Sequence, residues 1–229
     1  MNKKSEFEKF AQGHMGISSL KMHNFKKIIE TRAMTPYIME ERQLNVAQID
    51  VFSRLMVDRI IWMCSPIEDL MATVIQAQLL YLESADKSKD INLYVDTDGG
   101  SIVAGLKVID IMDYISCDVC TTNTGTAASM GAVVLAAGKK GKRTSLKHSK
   151  TMIHMSSGGA IGNIQDARIM MEEWEKYNNE IFDLLAGYCG KTKKQIMEES
   201  ERDKWLSSED AKSYGIIDSV IKTKKKKLI

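Results

Sequence analysis

The sequence predicts an α/β fold with a mainly parallel sheet. From Glu41 onward, short apolar runs of strand length alternate with longer stretches whose apolar residues recur at helical spacing. Pro36 and Pro66 are the only prolines, so no proline-rich linker divides the chain. A length of 229 residues suits one domain of this class. We therefore expect a single domain over residues 41–222.

Two flanking segments depart from this pattern. Residues 1–40 show no sustained period and are interpreted as an N-terminal extension or propeptide, whereas the lysine-rich residues 223–229 are expected to form a basic, solvated tail. The chain has neither a hydrophobic leader nor an apolar run of 18 residues, so we expect a cytoplasmic protein without membrane contact. No basic helix face with interleaved aromatic residues is present, and nucleic acid is not an expected partner.

The four cysteines, Cys64, Cys117, Cys120 and Cys189, are compatible with the reducing environment of the cytosol. Cys117 and Cys120 form a C-x-x-C pair around Val119 in strand-like sequence, and no second ligand pair follows at zinc-finger spacing. Buried structural thiols are therefore favoured over a zinc or redox site, and no metal is expected.

The first strands and helices each have their own signal. Residues 59–63 are a short apolar strand, and Ser65, Pro66 and Glu68 are typical of a helix start with a serine cap. Strand 91–96, a tight turn at Gly99-Gly100 and helix 101–115 follow. The faces expected to be buried are Met71, Val74, Ile75, Leu79 and Leu82 in the first helix, and Ala104, Val108, Ile111, Met112 and Ile115 in the second.

The second half continues the alternation. We expect strands at 118–123, 151–154 and 216–221, a helix of small residues at 127–138, and a helix that begins at Ser207 and ends at Gly215. A long helix over 164–188 has more apolar residues than a surface helix needs, and we expect it to pack against a partner subunit. Its stripe is Trp174, Tyr177, Ile181, Leu184, Leu185 and Tyr188.

Ser129 is a candidate nucleophile. It lies among small residues, Gly125 to Gly131, where a strand gives way to a helix. Small neighbours let a substrate backbone approach, and a helix N-terminus offers N–H groups and a positive dipole end to a developing oxyanion. The motif is looser than the nucleophile elbow G-x-S-x-G, and taken alone it favours a capping serine instead.

His154 and Asp203 are candidates to activate this serine. Of the four histidines, His154 alone ends an apolar strand, where burial could fix a ring that accepts the serine proton. Asp203 could orient that ring through its other nitrogen, although many carboxylates are available and an exposed charge cluster would look the same. The Gly99-Gly100 turn could present backbone N–H groups, and no phosphate- or dinucleotide-binding motif accompanies it.

Together these segments resemble one family. From Arg42 to Ile221 the chain is similar to the proteolytic subunits of Clp proteases (ClpP), through residues 50–55, 91–100, 127–131, 141–143, 152–154 and 201–207. The resemblance implies Ser129 as nucleophile, His154 as general base and Asp203 as the residue that orients it. It implies an oxyanion hole formed by the backbone N–H groups of Gly100 and Met130.

The same resemblance implies a fold and an assembly. The fold is a ClpP/crotonase-like spiral of βαβ units with a projecting handle helix, here residues 164–188. Seven subunits form a ring, and two rings stack through these helices into a tetradecamer. An AAA+ Clp unfoldase docks on the ring faces and threads unfolded protein to serine endopeptidase sites inside. ATP belongs to that partner, so this chain needs no cofactor; the implied docking residues are Tyr94, Tyr114, Leu146 and Ile221.

Three departures from the family stand out. Thr97-Asp98 replace the usual Ser-Pro before the glycine turn, and Asp98 would oppose an oxyanion if it pointed inward. Met155-Ser156 replace Gln-Pro after His154, in a loop that in the family holds substrate as an added strand. Weak or selective docking to a standard unfoldase is expected, because four docking positions are polar where apolar or aromatic residues are usual: Asn92, Thr122, Thr124 and Thr144.

Two other functions stay open. The chain could be an impaired scaffold or regulatory subunit that assembles with a catalytic sister subunit, its own site weakened by Asp98. It could instead perform acyl-CoA chemistry on the same spiral fold, with two backbone N–H groups holding a thioester oxyanion. The aligned serine, histidine and aspartate favour a serine endopeptidase over both.

Overall fold

A computed structural model of the chain describes residues 37–42, 45–158 and 163–222. The chain divides into two compact units, residues 1–55 and 56–229. In the first unit, strand β1 (Tyr37–Arg42) pairs antiparallel with β2 (Asn45–Asp50). The predicted basic tail and most of the predicted N-terminal extension lie outside the described residues, and the domain limits at 41 and 222 stay a prediction.

The remaining elements confirm the predicted α/β class with mostly parallel strands. Strands β3, β4, β5, β6 and β9 form a parallel sheet in that order, and β7 pairs with β5 in parallel and with β8 antiparallel. The elements are α1 (Val51–Val57), β3 (Ile60–Met63), α2 (Asp69–Ala85), β4 (Ile91–Thr97), α3 (Ile102–Tyr114), β5 (Val119–Ala128), α4 (Met130–Ala136), β6 (Thr144–Leu146), β7 (Lys150–Ile153), α5 (Ile164–Cys189), α6 (Lys193–Glu199), β8 (Lys204–Ser207), α7 (Ser208–Tyr214) and β9 (Ser219–Ile221).

The sheet branches at β5. Thr122–Asn123 pair with β6, whereas Thr126–Ala128 pair with β7. The Asn123 side chain, which is fully buried, spans the branch: its Nδ2 donates to the Lys150 carbonyl at 2.9 Å, and its Oδ1 accepts from the Gly125 N–H at 3.1 Å. The last part of β5 is thereby directed along β7, and the carboxyl ends of these two strands meet.

The hydrophobic core contains the predicted faces of both early helices, with one error. Ala72, Ile75, Leu79 and Leu82 are buried along α2, but Val74 lies outside this stripe and is 47% exposed. Along α3 the buried residues are Ala104, Gly105, Val108, Ile109 and Met112, with Ile111 partly buried against the same core.

The predicted serine cap at Ser65 is wrong. Ile67 forms a parallel bridge with Gly100, and its N–H donates to the Gly99 carbonyl at 2.8 Å. Because this pairing holds the chain extended, the helix begins only at Asp69. Ile67 thus bonds to the residues on either side of Gly100, accepting from the Ser101 N–H at 2.8 Å as well as donating to Gly99.

Other elements differ in length from the prediction. β5 continues to Ala128 and α4 begins only at Met130, because residues 126–128 are paired in the sheet rather than coiled. β6, α6 and β8 were not predicted. The long helix α5 agrees with its prediction to within one residue, and it buries Ile181, Phe182 and Leu185. Its packing against a partner subunit stays a prediction.

The cysteines and helices of the described ranges bear on the needs of redox, metal and membrane sites. Cys117 is buried, and burial, with the nearby Asp90 adding to it, raises the pKa of Cys120 to about 11. That thiol is protonated at neutral pH, which argues against redox chemistry. Within the described ranges, no three His, Cys, Asp or Glu side chains converge as metal ligands, and every helix is too short or too polar to cross a bilayer.

The ion pair between Arg143 and Asp218 connects α4, α5 and the start of β9. Only 4% of the Arg143 side chain is exposed, and its guanidinium donates to Asp218 at 2.7 and 3.0 Å and to the carbonyls of Ala136 and Tyr188. Burial alone would raise the pKa of Asp218, but the hydrogen bonds from Arg143 outweigh it and hold that pKa below its ordinary value. The pair therefore stabilises the fold at neutral pH.

We predict that Asp218→Asn lowers the free energy of unfolding at pH 7 by about 3 kcal/mol, because it leaves a buried guanidinium without its counter-charge. The loss should shrink as the pH falls below about 4, where the carboxyl of the unfolded chain becomes protonated, and it should vanish below the lowered pKa of the folded state. Urea denaturation of both proteins at several pH values measures this. The matched control is Asp183→Asn, which removes an exposed pair with Lys193 and should cost less than about 1 kcal/mol; equal losses in the two variants would contradict the prediction.

Candidate active site

Ser129 follows the last residue of β5 in a strained backbone conformation. Its φ of 53° and ψ of −124° lie in a region that costs a non-glycine residue about 1–3 kcal/mol. The Ser129 N–H donates to the Met152 carbonyl of β7 at 2.9 Å, which holds the turn in place. Strand, sharp turn and helix follow one another here as in a nucleophile elbow, although the G-x-S-x-G motif is absent.

The hydroxyl of Ser129 does not cap α4. No side-chain cap bond is formed at the start of that helix, and Ser129 Oγ lies 2.8 Å from His154 Nε2 instead. The capping interpretation, which the motif alone favoured, is therefore wrong. The strained turn presents the hydroxyl to an imidazole.

His154 and Asp203 meet because their strands pair. β7 and β8 are antiparallel with Ile153 opposite Lys204, so the residue after β7 faces the residue before β8. His154 Nδ1 lies 3.2 Å from Asp203 Oδ1, and the imidazole thus contacts the carboxylate through one nitrogen and the hydroxyl of Ser129 through the other. The side chain of His154 is 22% exposed and that of Asp203 62%.

The glycine turn packs directly against Ser129. Gly99 has a φ of +96°, and a Cβ there would lie 2.7 Å from the Ala128 carbonyl oxygen and 2.7 Å from Ser129 Cβ. Only glycine allows this approach without displacing the serine. Thr97 fixes the turn by two hydrogen bonds: its buried hydroxyl donates to the Ser65 carbonyl at 2.7 Å and accepts from the Gly99 N–H at 3.1 Å.

These bonds leave two backbone donors beside the serine. The Gly99 N–H is used by Thr97, and the Ser129 N–H by Met152. Among the described residues, the N–H groups of Gly100 and Met130 have no acceptor, and that of Met130 is the first of helix α4, where the helix dipole is positive. The free donors therefore belong to the residue after Ser129 and to the residue after Gly99, which packs against Ser129.

Two of the departures from the family, Asp98 and the loop after His154, lie in well-defined surroundings. Asp98 is exposed to solvent, so water screens its charge. Met155 donates its N–H to the Ser200 carbonyl at 2.8 Å, and Ser156 Oγ donates to Asn178 Oδ1 at 3.0 Å. The loop is therefore held on both sides by α6 and α5.

The residues predicted for docking lie on other strands and at a helix end. Leu146 and Ile221 are neighbours across the β6–β9 pair, and Tyr94 on β4 meets the edge of Trp62 with ring centroids 5.3 Å apart. Tyr114 ends α3 and is 76% exposed. Trp62 was missed by sequence reasoning, and the register that places it opposite Tyr94 is what reveals it. At the polar positions, the hydroxyls of Thr122 and Thr144 bond to each other at 2.8 Å.

Comparison with known proteins gives consistent matches. A sequence model of the family described as Clp protease matches residues 42–224. An ATP-dependent Clp protease proteolytic subunit from Porphyromonas gingivalis is 46% identical over 97% of this chain and 100% of its own length. Subunits of the same name from Bacteroides fragilis and Bacteroides thetaiotaomicron are 46% and 45% identical, each over 94% of this chain and 98% of the relative.

We predict that Gly99→Ala slows covalent labelling of Ser129 by a fluorophosphonate by about 100-fold or more, because the added methyl displaces the serine. Gly141→Ala is the matched control: Gly141 also has a positive φ, +89°, but a Cβ there meets nothing within 4 Å. Both variants place an alanine at a similar positive φ, so the control carries the backbone cost without the collision. Equal labelling rates in the two variants would contradict the proposed contact.

Proposed function

The chain belongs to the Clp protease family, and we propose on this premise that it is the proteolytic subunit of an ATP-dependent Clp protease. As a serine endopeptidase it would hydrolyse unfolded proteins to short peptides. One observation carries the proposal: the His154 imidazole contacts Ser129 Oγ at 2.8 Å through Nε2 and Asp203 Oδ1 at 3.2 Å through Nδ1. This is the arrangement that a serine needs to become a nucleophile at neutral pH.

The chemistry proceeds in two steps. Ser129 Oγ bonds to the peptide carbonyl carbon while its proton passes to His154 Nε2, and the proton then passes to the departing amine as the C–N bond breaks. In the second step water attacks the acyl-serine and gives one proton to the same nitrogen. That proton returns to Ser129 as the bond to serine breaks, and the product leaves as a carboxylic acid that ionises in water. Asp203 stabilises the imidazolium that forms in both steps.

The Gly100 and Met130 N–H groups serve as the oxyanion hole. Met130 follows the nucleophile and Gly100 follows Gly99, which packs against it. Neither N–H has another acceptor among the described residues, which supports their bonding to the oxygen that becomes negative in the tetrahedral intermediate. The exposed position of Asp98 weakens the reason for suspecting an impaired scaffold subunit, because a solvated carboxylate opposes this oxyanion only slightly. The hydrogen bond from Ser129 to His154 likewise favours nucleophilic catalysis over acyl-CoA chemistry.

Assembly and partner follow from the family. The curated relatives are named as proteolytic subunits of ATP-dependent proteases. We therefore propose heptameric rings that stack as a cytoplasmic tetradecamer, an AAA+ Clp unfoldase that consumes the ATP, and no cofactor on this chain. Exposed apolar residues in the first half of α5 support stacking through that helix: Ile164, Ile169, Met170 and Met171.

Docking of the unfoldase is proposed at the surface of Tyr94, Tyr114, Leu146 and Ile221. The mutually bonded hydroxyls of Thr122 and Thr144 make this part of the sheet more polar than a hot-spot pocket usually is. Docking should therefore be weak or selective, and the chain could share a ring with a sister subunit that docks more strongly. Tight docking of a homomeric assembly would contradict this.

We predict that Ser129→Ala and His154→Ala each reduce peptide hydrolysis by the assembled chain by about 10⁴–10⁶-fold, and that both abolish fluorophosphonate labelling. Asp203→Asn should cost about 10⁴-fold, because it no longer holds the imidazole in the required tautomer. Oligomer size by sedimentation is the control for assembly. Unchanged hydrolysis by Ser129→Ala would refute the mechanism, whereas an assembled wild-type chain that labels only after a sister subunit is added would support a mixed ring.

A further inference from the structure

The segment after the histidine, residues 154–158, belongs to neither a strand nor a helix. Its first part is fixed close to the triad: β7 and β8 pair up to Ile153 and Lys204, and the Met155 N–H donates to the Ser200 carbonyl at 2.8 Å. The position of His154 is therefore set on both sides by bonds to β8 and to the end of α6.

The rest of the segment lies along α5. The Oδ1 of Asn178 accepts from Ser156 twice, from Oγ at 3.0 Å and from the backbone N–H at 3.4 Å. Two residues further on, Gly158 packs against the indole of Trp174, and a Cβ at Gly158 would collide with Cζ2 of that ring. Trp174 and Asn178 are one turn apart on the same face of the helix. Ser156 thus has two donors where the family usually has a proline, and one amide oxygen accepts both.

These two sets of bonds separate the triad from the segment beyond it. Removing the Asn178 amide would release Ser156 from α5, but it would leave the pairing of β7 with β8 and the Met155–Ser200 bond intact. Changing Asn178 should therefore weaken the binding of a peptide to residues 156–158 and leave the activation of Ser129 unchanged.

In the family the loop after the histidine holds substrate as an added strand, and we propose that Asn178 is a positioning residue for it: its bonds to Ser156 order the edge against which an extended peptide pairs through its main chain. This inference rests on the proposed function, since the substrate role of the segment comes with the family and the new element is the role of Asn178. Binding by strand addition depends on main-chain hydrogen bonds along a pre-ordered edge, so an edge that must first be ordered binds more weakly.

The experiment compares Asn178 variants of the full assembled chain. Binding of a fluorescein-labelled extended peptide is measured by anisotropy in a Ser129→Ala background, and fluorophosphonate labelling is measured with Ser129 present. We expect Asn178→Leu to raise the peptide Kd about tenfold, as the loss of two hydrogen bonds implies, and to leave the labelling rate unchanged within about twofold. Asn178→Asp keeps the acceptor oxygen and should bind peptide like the wild type.

Two further variants complete the test. Asn179→Leu is the matched control, since it changes the same residue type at the next, exposed position of the helix and should alter neither measurement. Gly158→Ala displaces the segment from α5 by another route, because the added methyl collides with Trp174. It should weaken peptide binding without slowing labelling.

An unchanged peptide Kd in Asn178→Leu and Gly158→Ala would overturn the inference. So would equal losses of binding and labelling in both Asn178→Leu and Asn178→Asp, because they would show a merely structural role. If the wild-type chain fails to label but Asn178→Leu still weakens peptide binding selectively, the positioning role stands and the proposed protease activity fails.

Discussion

The site depends on the pairing of three neighbouring strands. β5 and β7 are parallel, so Ser129 and His154 follow the carboxyl ends of adjacent strands. β8 is antiparallel to β7, so Asp203 precedes its start at the same edge of the sheet. Three groups that are distant in sequence thus meet without any long connection between them. The branch at Asn123, which turns the last residues of β5 onto β7, makes this meeting possible.

A strained serine needs neighbours that hold it. The Met152 carbonyl, the backbone of Gly99 and the start of α4 surround Ser129, and Gly131 lets α4 approach the Thr97 methyl, where a Cβ would lie at 2.7 Å. The Thr97 hydroxyl also holds the glycine turn through its two hydrogen bonds. These bonds supply some of the backbone rigidity that the family's proline at position 98 would give. The same neighbours leave the two N–H groups beside the serine free.

Periodicity predicted the long elements well, because α3 and α5 show their buried faces directly in sequence. It failed where pairing outweighs local preference: Ser65 looked like a cap but lies in a segment bonded to the glycine turn, and residues 127–128 looked helical but are paired with β7. The charged residues around Asp203 concealed the short strand β8, so no local signal could select that carboxylate. Asn123 and Asn178 were missed because their roles come from partners far along the chain.

The central claim is that Ser129 attacks a carbonyl whose oxygen is received by Gly100 and Met130. A crystal structure of the assembled chain after reaction with a fluorophosphonate tests it most directly. The account predicts a bond from Ser129 Oγ to phosphorus, with the phosphoryl oxygen about 2.7–3.1 Å from both N–H groups. An adduct whose oxygen points to solvent, or one formed on another residue, would contradict it.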